Sequence, residues 1–334
     1  MATHLTNPLA TVDQLYRRTT SFGTLPSDLQ EAIFFATQSL TQAAGLLLRL
    51  PQSVTAQANV VLARYWLVDS LLANEFSDVS AATLFLIAKL SSHPTRPRDI
   101  CNVYAYLLSP SSPLFRPKPS SSSSSTSSTN DPQSYYLSES AFTSFHSRTL
   151  RLEARILYTL GFDTHVALPH GLAITYLQAL DVFNNGASGK DLAARVVALL
   201  NTALLSPQML YLTHQPNALA VAAIYSAARE GGDDGRKGVR MPDCAWWEVF
   251  DVDREELGFL IVGMRSLDGW VRSLKETIPG FGATGMFTVK DCEAEMRRRG
   301  LSMGNGSMGR GEEVMDEEEA MMRSMDERAD EMEI

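Results

Sequence analysis

Histidine and cysteine are the side chains most able to do chemistry at neutral pH, and this chain has six of one and three of the other. The histidines, at 4, 93, 146, 165, 170 and 214, show no metal-ligand spacing. Cys101, Cys244 and Cys292 are far apart and odd in number, which suits reduced intracellular thiols rather than a disulfide framework or a zinc site. No metal and no cofactor are expected. Ser144, His146 and Glu153 supply the residue types of a nucleophilic triad, but no nucleophile elbow surrounds the serine. The stretch GNGSMGRG follows no strand and lacks the lysine of a phosphate loop, so it reads as a linker. MRRRG at 296–300 reads as a solvated charge run, with nuclear import as the alternative. LSPSSP is low-complexity sequence in which phosphorylation is the sharper reading. No catalytic residue is predicted.

If the chain does no chemistry, its elements must serve another purpose. Its 334 residues are enough for one large or two ordinary domains, and 45% apolar with 20% charged residues is a globular composition. No membrane span is expected, because the longest uncharged stretch, between Arg195 and Arg229, is broken by Pro207, Pro216 and several polar residues. The first residues do not read as a signal peptide. The net charge of −9 is concentrated at one end: from Gly311 onward eleven acidic residues face only Arg323 and Arg328. The remainder is neutral, which argues against a nucleic-acid surface.

Nearly every periodic stretch is helical. A helix opens at Ser27 and Gln30, read as a capping box, and is stopped by Pro51. Leu29, Ile33, Leu40, Ala44 and Leu47 share one face of it. The next carries a stripe of Val54, Ala58, Val61, Tyr65, Val68 and Leu72, with Arg64 expected to pair with a carboxylate at the bundle rim. Ser77 is placed to cap a third helix, DVSAATLFLIAKL, apolar almost all round and therefore central. A fourth runs over 99–108 and a fifth over 139–160, ended by Gly161 as a left-handed C-cap. Further helices are predicted at 169–182, 190–205 and 217–229, a short one at 246–250 and a long one at 254–274. AATLFLIAKL and AVAAIYSAAR form a faint internal repeat of small-residue helices ending in a cation. The predicted fold class is all-α, two tandem five-helix bundles.

Several segments together resemble the cyclin box of the transcriptional cyclins, and most nearly the cyclin L family. They are AAGLLLRLPQSVTAQANVVLARYW, AATLFLIAKL, RPRDICNVY and LEARILYTLGFDTHVALPHGLAITYLQAL, with a looser match in QPNALAVAAIYSAAR and WWEVFDVDREELGFLIVGM. The resemblance covers about 27–275. It implies a regulatory subunit without an active site, forming a heterodimer with a cyclin-dependent protein kinase. Splicing or RNA polymerase II-associated proteins would be further partners, and the location nuclear. The third and fifth helices of the first box would pack on the kinase's C-helix, using a lysine and a glutamate that match Lys89 and Glu153 here. Leu90 and Phe162 stand where the family has apolar kinase contacts.

The implied organisation is an extension over 1–26, a first box over 27–162 with a Ser/Pro-rich insert at 109–134, a second box over 163–278, and a flexible acidic tail over 279–334 that the boxes do not need. Ser91 and Ser92 replace the acidic pair usual after the lysine, and EAIFFATQSL lacks the substrate-docking motif of cell-cycle cyclins. The arginine–serine tail of animal cyclin L proteins has no counterpart. Two other functions fit the same fold: a DNA-binding adaptor like general transcription factor IIB, disfavoured by the neutral body, and a cyclin-fold scaffold that no longer binds a kinase.

Overall fold

The computed structural model describes residues 5–15, 25–109, 112, 135–233, 241–278, 281 and 286–301. The remainder of the expected insert and all of 302–334 lie outside these. Five helices make the first bundle: α1 (Ser27–Leu47), α2 (Gln52–Val68), α3 (Phe76–Leu90), α4 (Pro97–Leu108) and α5 (Glu139–Thr159). The second is built from α6 (Pro169–Ala179), α7 (Ala187–Ala203), the single turn α8 (Leu210–Thr213), α9 (Pro216–Asp233), a 3-10 turn (Trp246–Phe250) and α10 (Arg254–Arg265). Beyond them come α11 (Leu267–Thr277) and α12 (Val289–Arg298). The described residues contain no strand, and no helix among them is long and apolar enough to cross a membrane.

Each bundle surrounds one helix whose small side chains let its neighbours approach. In α3 every residue from Val79 to Ala88 is buried, and α1, α2, α4 and α5 pack around it. Ser80, in its middle, bonds Thr41 of α1 and Tyr104 of α4, each at 2.7 Å. That buried hydroxyl chain fixes the register of three helices and leaves none of its members unpaired. In α9, Ala218 to Ile224 are buried against α6, α7 and α10. At Gly45 the crossing of α1 and α2 is so close that a methyl group would lie 2.3 Å from Thr55 Oγ1.

Several local expectations need correction. Ser27 does not cap α1: Pro26 occupies the N-cap, and Gln30 turns back to donate to the Leu25 carbonyl at 2.8 Å. Ser77 lies inside α3, whose N-cap is Glu75. The long helix predicted over 254–274 is divided at Ser266, whose hydroxyl bonds the Gly263 carbonyl and competes with the helical ladder. By contrast Gly161 is left-handed, and the Phe162 and Gly161 amides close α5 on the Leu157 and Tyr158 carbonyls as a Schellman motif. Leu47 and Val68, read as inward-facing, are exposed.

Polar contacts from outside the bundles tie them together at the linker. Asn7 is buried, and its side-chain amide pairs with both backbone groups of Ala167 in the linker, at 2.8 Å each. Gln215, at the start of the second bundle's central helix, pairs in the same way with the Asn7 backbone. Arg64 donates to the His165 carbonyl at 2.7 Å and to Asn7. It therefore fixes the linker instead of meeting a carboxylate as expected. Burial lowers its pKa from the ordinary guanidinium value, opposed in part by Asp163.

Part of the expected tail, 286–301, packs on the first bundle. α11 crosses to the first bundle, where Trp270 donates to Glu31 at 2.9 Å and meets Phe35 edge-on. Residues 286–301 then lie against the same bundle, with Phe287 stacked on Phe76 and Cys292 and Met296 buried.

Candidate functional site: the junction of α3 and α5

Lys89 ends α3, and Glu153 lies on the face of α5 that packs against it. Their side chains meet in an ion pair of 2.7 Å. The two groups are unequal: the glutamate side chain is 8% exposed and the lysine side chain 56%. Glu153 was expected outside the core, but it lies beside Leu152 and Ile156 on the buried face of α5. The lysine stem runs over Phe85, with Nζ 5.6 Å from the ring centroid, and its ammonium reaches water. An ammonium has three donors and Glu153 takes one, so the others point outward.

Large apolar side chains on the same two elements are exposed. Leu90 is 58% exposed and Phe162 61%. Phe162 follows Gly161 and is itself left-handed, at φ 62°, a conformation that a bulky side chain rarely adopts. The strained corner turns its ring outward, where it meets Tyr158 edge-on at 5.5 Å. Tyr158 and Leu150 are exposed too, and with Ala154 between them they form an i, i+4 stripe along the outer side of α5, which the Phe162 ring meets at Tyr158. Sequence reading passed over Leu150 and Tyr158. Their eight-residue spacing, with Ala154 midway, was the available signal, masked by Arg151 and Arg155 between them.

Charged side chains brace the stripe. Arg155 forks onto Asp69 at 2.5 and 2.8 Å, tying α5 to the end of α2, and Arg148 reaches Asp78 on α3 at 2.9 Å. Asp69 also accepts from Tyr65, and burial, with that hydrogen bond, pushes the phenol well above its ordinary range. Ser91 and Ser92, in place of the acidic pair, end the helix locally. The Ser91 hydroxyl donates to Ala88 and accepts from the His93 amide, while Ser92 bonds the His93 ring.

The triad types do not converge: Ser144 accepts from Arg148, His146 stacks on Phe142, and Glu153 is taken by Lys89. Among the described residues no group of three or more His, Cys, Asp or Glu is placed to hold a metal ion. In MRRRG, Arg297 and Arg298 are exposed as a solvated run would have them, while Arg299 is half-buried. Arg298 and Arg299 are held by Glu295, and Arg299 also by Asp28 on α1.

No protein-family model matches the chain. Among curated proteins it is 27% identical over 295 residues to the cyclin L homologue cyl-1 of Caenorhabditis elegans, covering 86% of this chain and 55% of that one. It is 28% identical over 219 residues to human cyclin-L2, covering 65% of this chain and 36% of the relative. Against chicken (Gallus gallus) cyclin-L1 it is 30% identical over 219 residues, with coverage of 65% and 36%. The chain thus spans about half the length, or less, of these relatives.

Two solved structures share the fold. One is a chain of the yeast RNA polymerase II CTD kinase CTDK-1 complex, with a TM-score of 0.55 at 14% identity, over 88% of this chain and 84% of that one. The other belongs to the CAK complex of Chaetomium thermophilum, with a TM-score of 0.50 at 12% identity, over 90% of each.

Proposed function

The chain is a relative of the cyclin L proteins with an all-α double cyclin-box fold, and on that premise we propose that it is the non-catalytic regulatory subunit of a cyclin-dependent protein kinase. The observation that carries the reading is the Lys89–Glu153 pair at the α3–α5 junction, with exposed apolar side chains at Leu90 and along α5. The pair divides the work. Glu153, buried and fixed, holds the lysine's direction, and Lys89 offers its remaining donors to backbone carbonyls of the partner. Leu90, Phe162, Tyr158 and Leu150 supply the area that such a polar contact needs around it. A kinase whose C-helix lies on this face has its glutamate set toward the ATP-binding lysine, the arrangement that phosphoryl transfer requires. The protein contributes position and leaves the chemistry to the kinase.

We further infer a nuclear role in RNA polymerase II transcription and pre-mRNA processing, which rests on the resemblance to the cyclin L family. Splicing and polymerase-associated proteins are then the expected outer partners.

The test is affinity capture of the full chain from nuclear extract, with mass spectrometry and a kinase assay on the captured material. Stoichiometric recovery of one cyclin-dependent kinase, active only with this chain, is expected. Its loss from a Lys89→Ala, Phe162→Ala capture would locate the contact. Equal recovery by that variant would remove the site from the proposal, and no kinase at all would leave a scaffold.

A further inference from the structure

α3 is about 22 Å long at 1.5 Å per residue, with the lysine site at one end. At the other end, Glu75 and Phe76 face a segment that belongs to neither bundle. Phe287 stacks on Phe76 with centroids 6.4 Å apart. Glu75 accepts from the Val289 amide at 3.4 Å, and Arg299 closes the far end on Asp28 of α1 at 2.7 Å. Cys292 and Met296 are buried beneath.

Two features set this segment apart from the helices around it. First, it is complete in itself. Thr288 and Asp291 form a reciprocal capping box at its start, and the left-handed Gly300 closes its end through the Gly300 and Leu301 amides. Second, six of the ten residues of α12 are charged, and its hold on the bundle is a narrow apolar strip flanked by polar contacts at either end. α3, by contrast, is buried on nearly all sides. Units with few buried apolar contacts open at lower free energy than the core they lie on.

We propose that residues 286–301 are a clasp that lifts from α1 and α3 as one unit while both bundles stay folded. Lifting uncovers Phe76 with the carboxylates of Asp28 and Glu75, an aromatic and acidic face at the opposite end of α3 from Lys89. The closed clasp hides it.

The three cysteines make the motion measurable. Cys244 is exposed, Cys101 is buried in the first bundle, and Cys292 is buried under the clasp. In the closed state burial pushes the Cys292 thiol up to about 12 and the Cys101 thiol up to about 11, so neither offers a thiolate until it is uncovered. The full native chain is treated with a small disulfide reagent, and each site is followed by peptide mass spectrometry relative to its own rate in denaturant.

Cys244 should react at once, and Cys292 at least about tenfold faster than Cys101, because the clasp opens more often than the bundle unfolds. Raising salt to about 1 M should speed Cys292 by screening Arg299 from Asp28. Phe287→Ala should accelerate Cys292 by at least about tenfold and leave it well ahead of Cys101. If Cys292 and Cys101 react at one rate, in the wild type or in the variant, the segment is an integral part of the first bundle and the clasp does not exist. Should the variant fail to fold, the two wild-type rates decide the matter by themselves.

Discussion

Lys89 and Glu153 form a pair whose two halves should not cost the same to remove. The glutamate side chain is 8% exposed and the lysine 56%, with a single bond of 2.7 Å between them. Replacing Lys89 with alanine leaves a carboxylate in a mostly apolar setting without its counter-charge. Breaking a fully buried pair in this way costs about 3–5 kcal/mol, and an exposed pair about 0–1 kcal/mol. A half-open pair belongs between, at about 1–2 kcal/mol. Replacing Glu153 instead frees a lysine that already reaches water, so only the contact itself and a few methylenes are lost, about 1 kcal/mol or less.

Lys89→Ala should therefore lower the melting temperature by roughly 3–6 °C, Glu153→Ala by no more than about 3 °C, and the double variant by less than the sum. Thermal unfolding of the four proteins in one buffer measures this directly. A Glu153 variant less stable than the Lys89 variant, or strictly additive losses, would refute the reasoning.

Asn7→Ala should cost about 1–3 kcal/mol, because the Ala167 amide and carbonyl lose their buried partner; an unchanged denaturant midpoint would mean the extension is ornamental. Ending the chain after Ile278 should destabilise the first bundle by exposing Phe76, the reverse of what an idle tail implies, and an unaltered melting curve would restore the tail reading. Glu295 is held at about 2 by the guanidinium groups of Arg298 and Arg299, below the ordinary carboxylate value. A depressed pKa gives stability that is present above the ordinary value and lost as pH falls toward about 2. The advantage of wild type over Glu295→Gln should thus be full at pH 6 and shrink below about pH 4.5; a constant difference would contradict it. Burial raises Glu75, whose own contribution runs the other way and cancels in that comparison.

Periodicity made most of the fold legible, since helices packed on one face announce that face. α3 was recognisable as central because it is apolar almost all round, and α9 was marked by its small residues as the repeat of α3. What failed were features that depend on competition between near-equal local options. Ser27 and Ser77 are good caps by type, but the chain enters α1 and α3 at Pro26 and Glu75. Ser266 looks like any helical serine until its hydroxyl takes the Gly263 carbonyl. Long-range polar contacts were out of reach: nothing near Asn7 or Arg64 in sequence points to Ala167 or His165, more than a hundred residues away. The clasp was hidden for a different reason. Six charges in ten residues read as tail, while Phe287, Cys292 and Met296 are too sparse to signal an amphipathic face. At the site, Lys89 and Glu153 were found through motif resemblance, but their mutual pairing, and hence the burial of Glu153, needed coordinates.

The central claim is that Lys89, with the exposed apolar side chains at Leu90, at Phe162 and along α5, binds a kinase. The most direct test is the affinity and activity of a reconstituted complex between the captured kinase and the full chain bearing Lys89→Ala, measured beside Phe162→Ala and wild type under conditions where all three are folded. A charge-assisted contact is worth about 1.5–3 kcal/mol, so Lys89→Ala should raise the dissociation constant roughly 10- to 150-fold. Kinase activity at limiting subunit should fall in proportion and recover at saturation. Wild-type affinity and activation by both folded variants would contradict the account and move the kinase to another face.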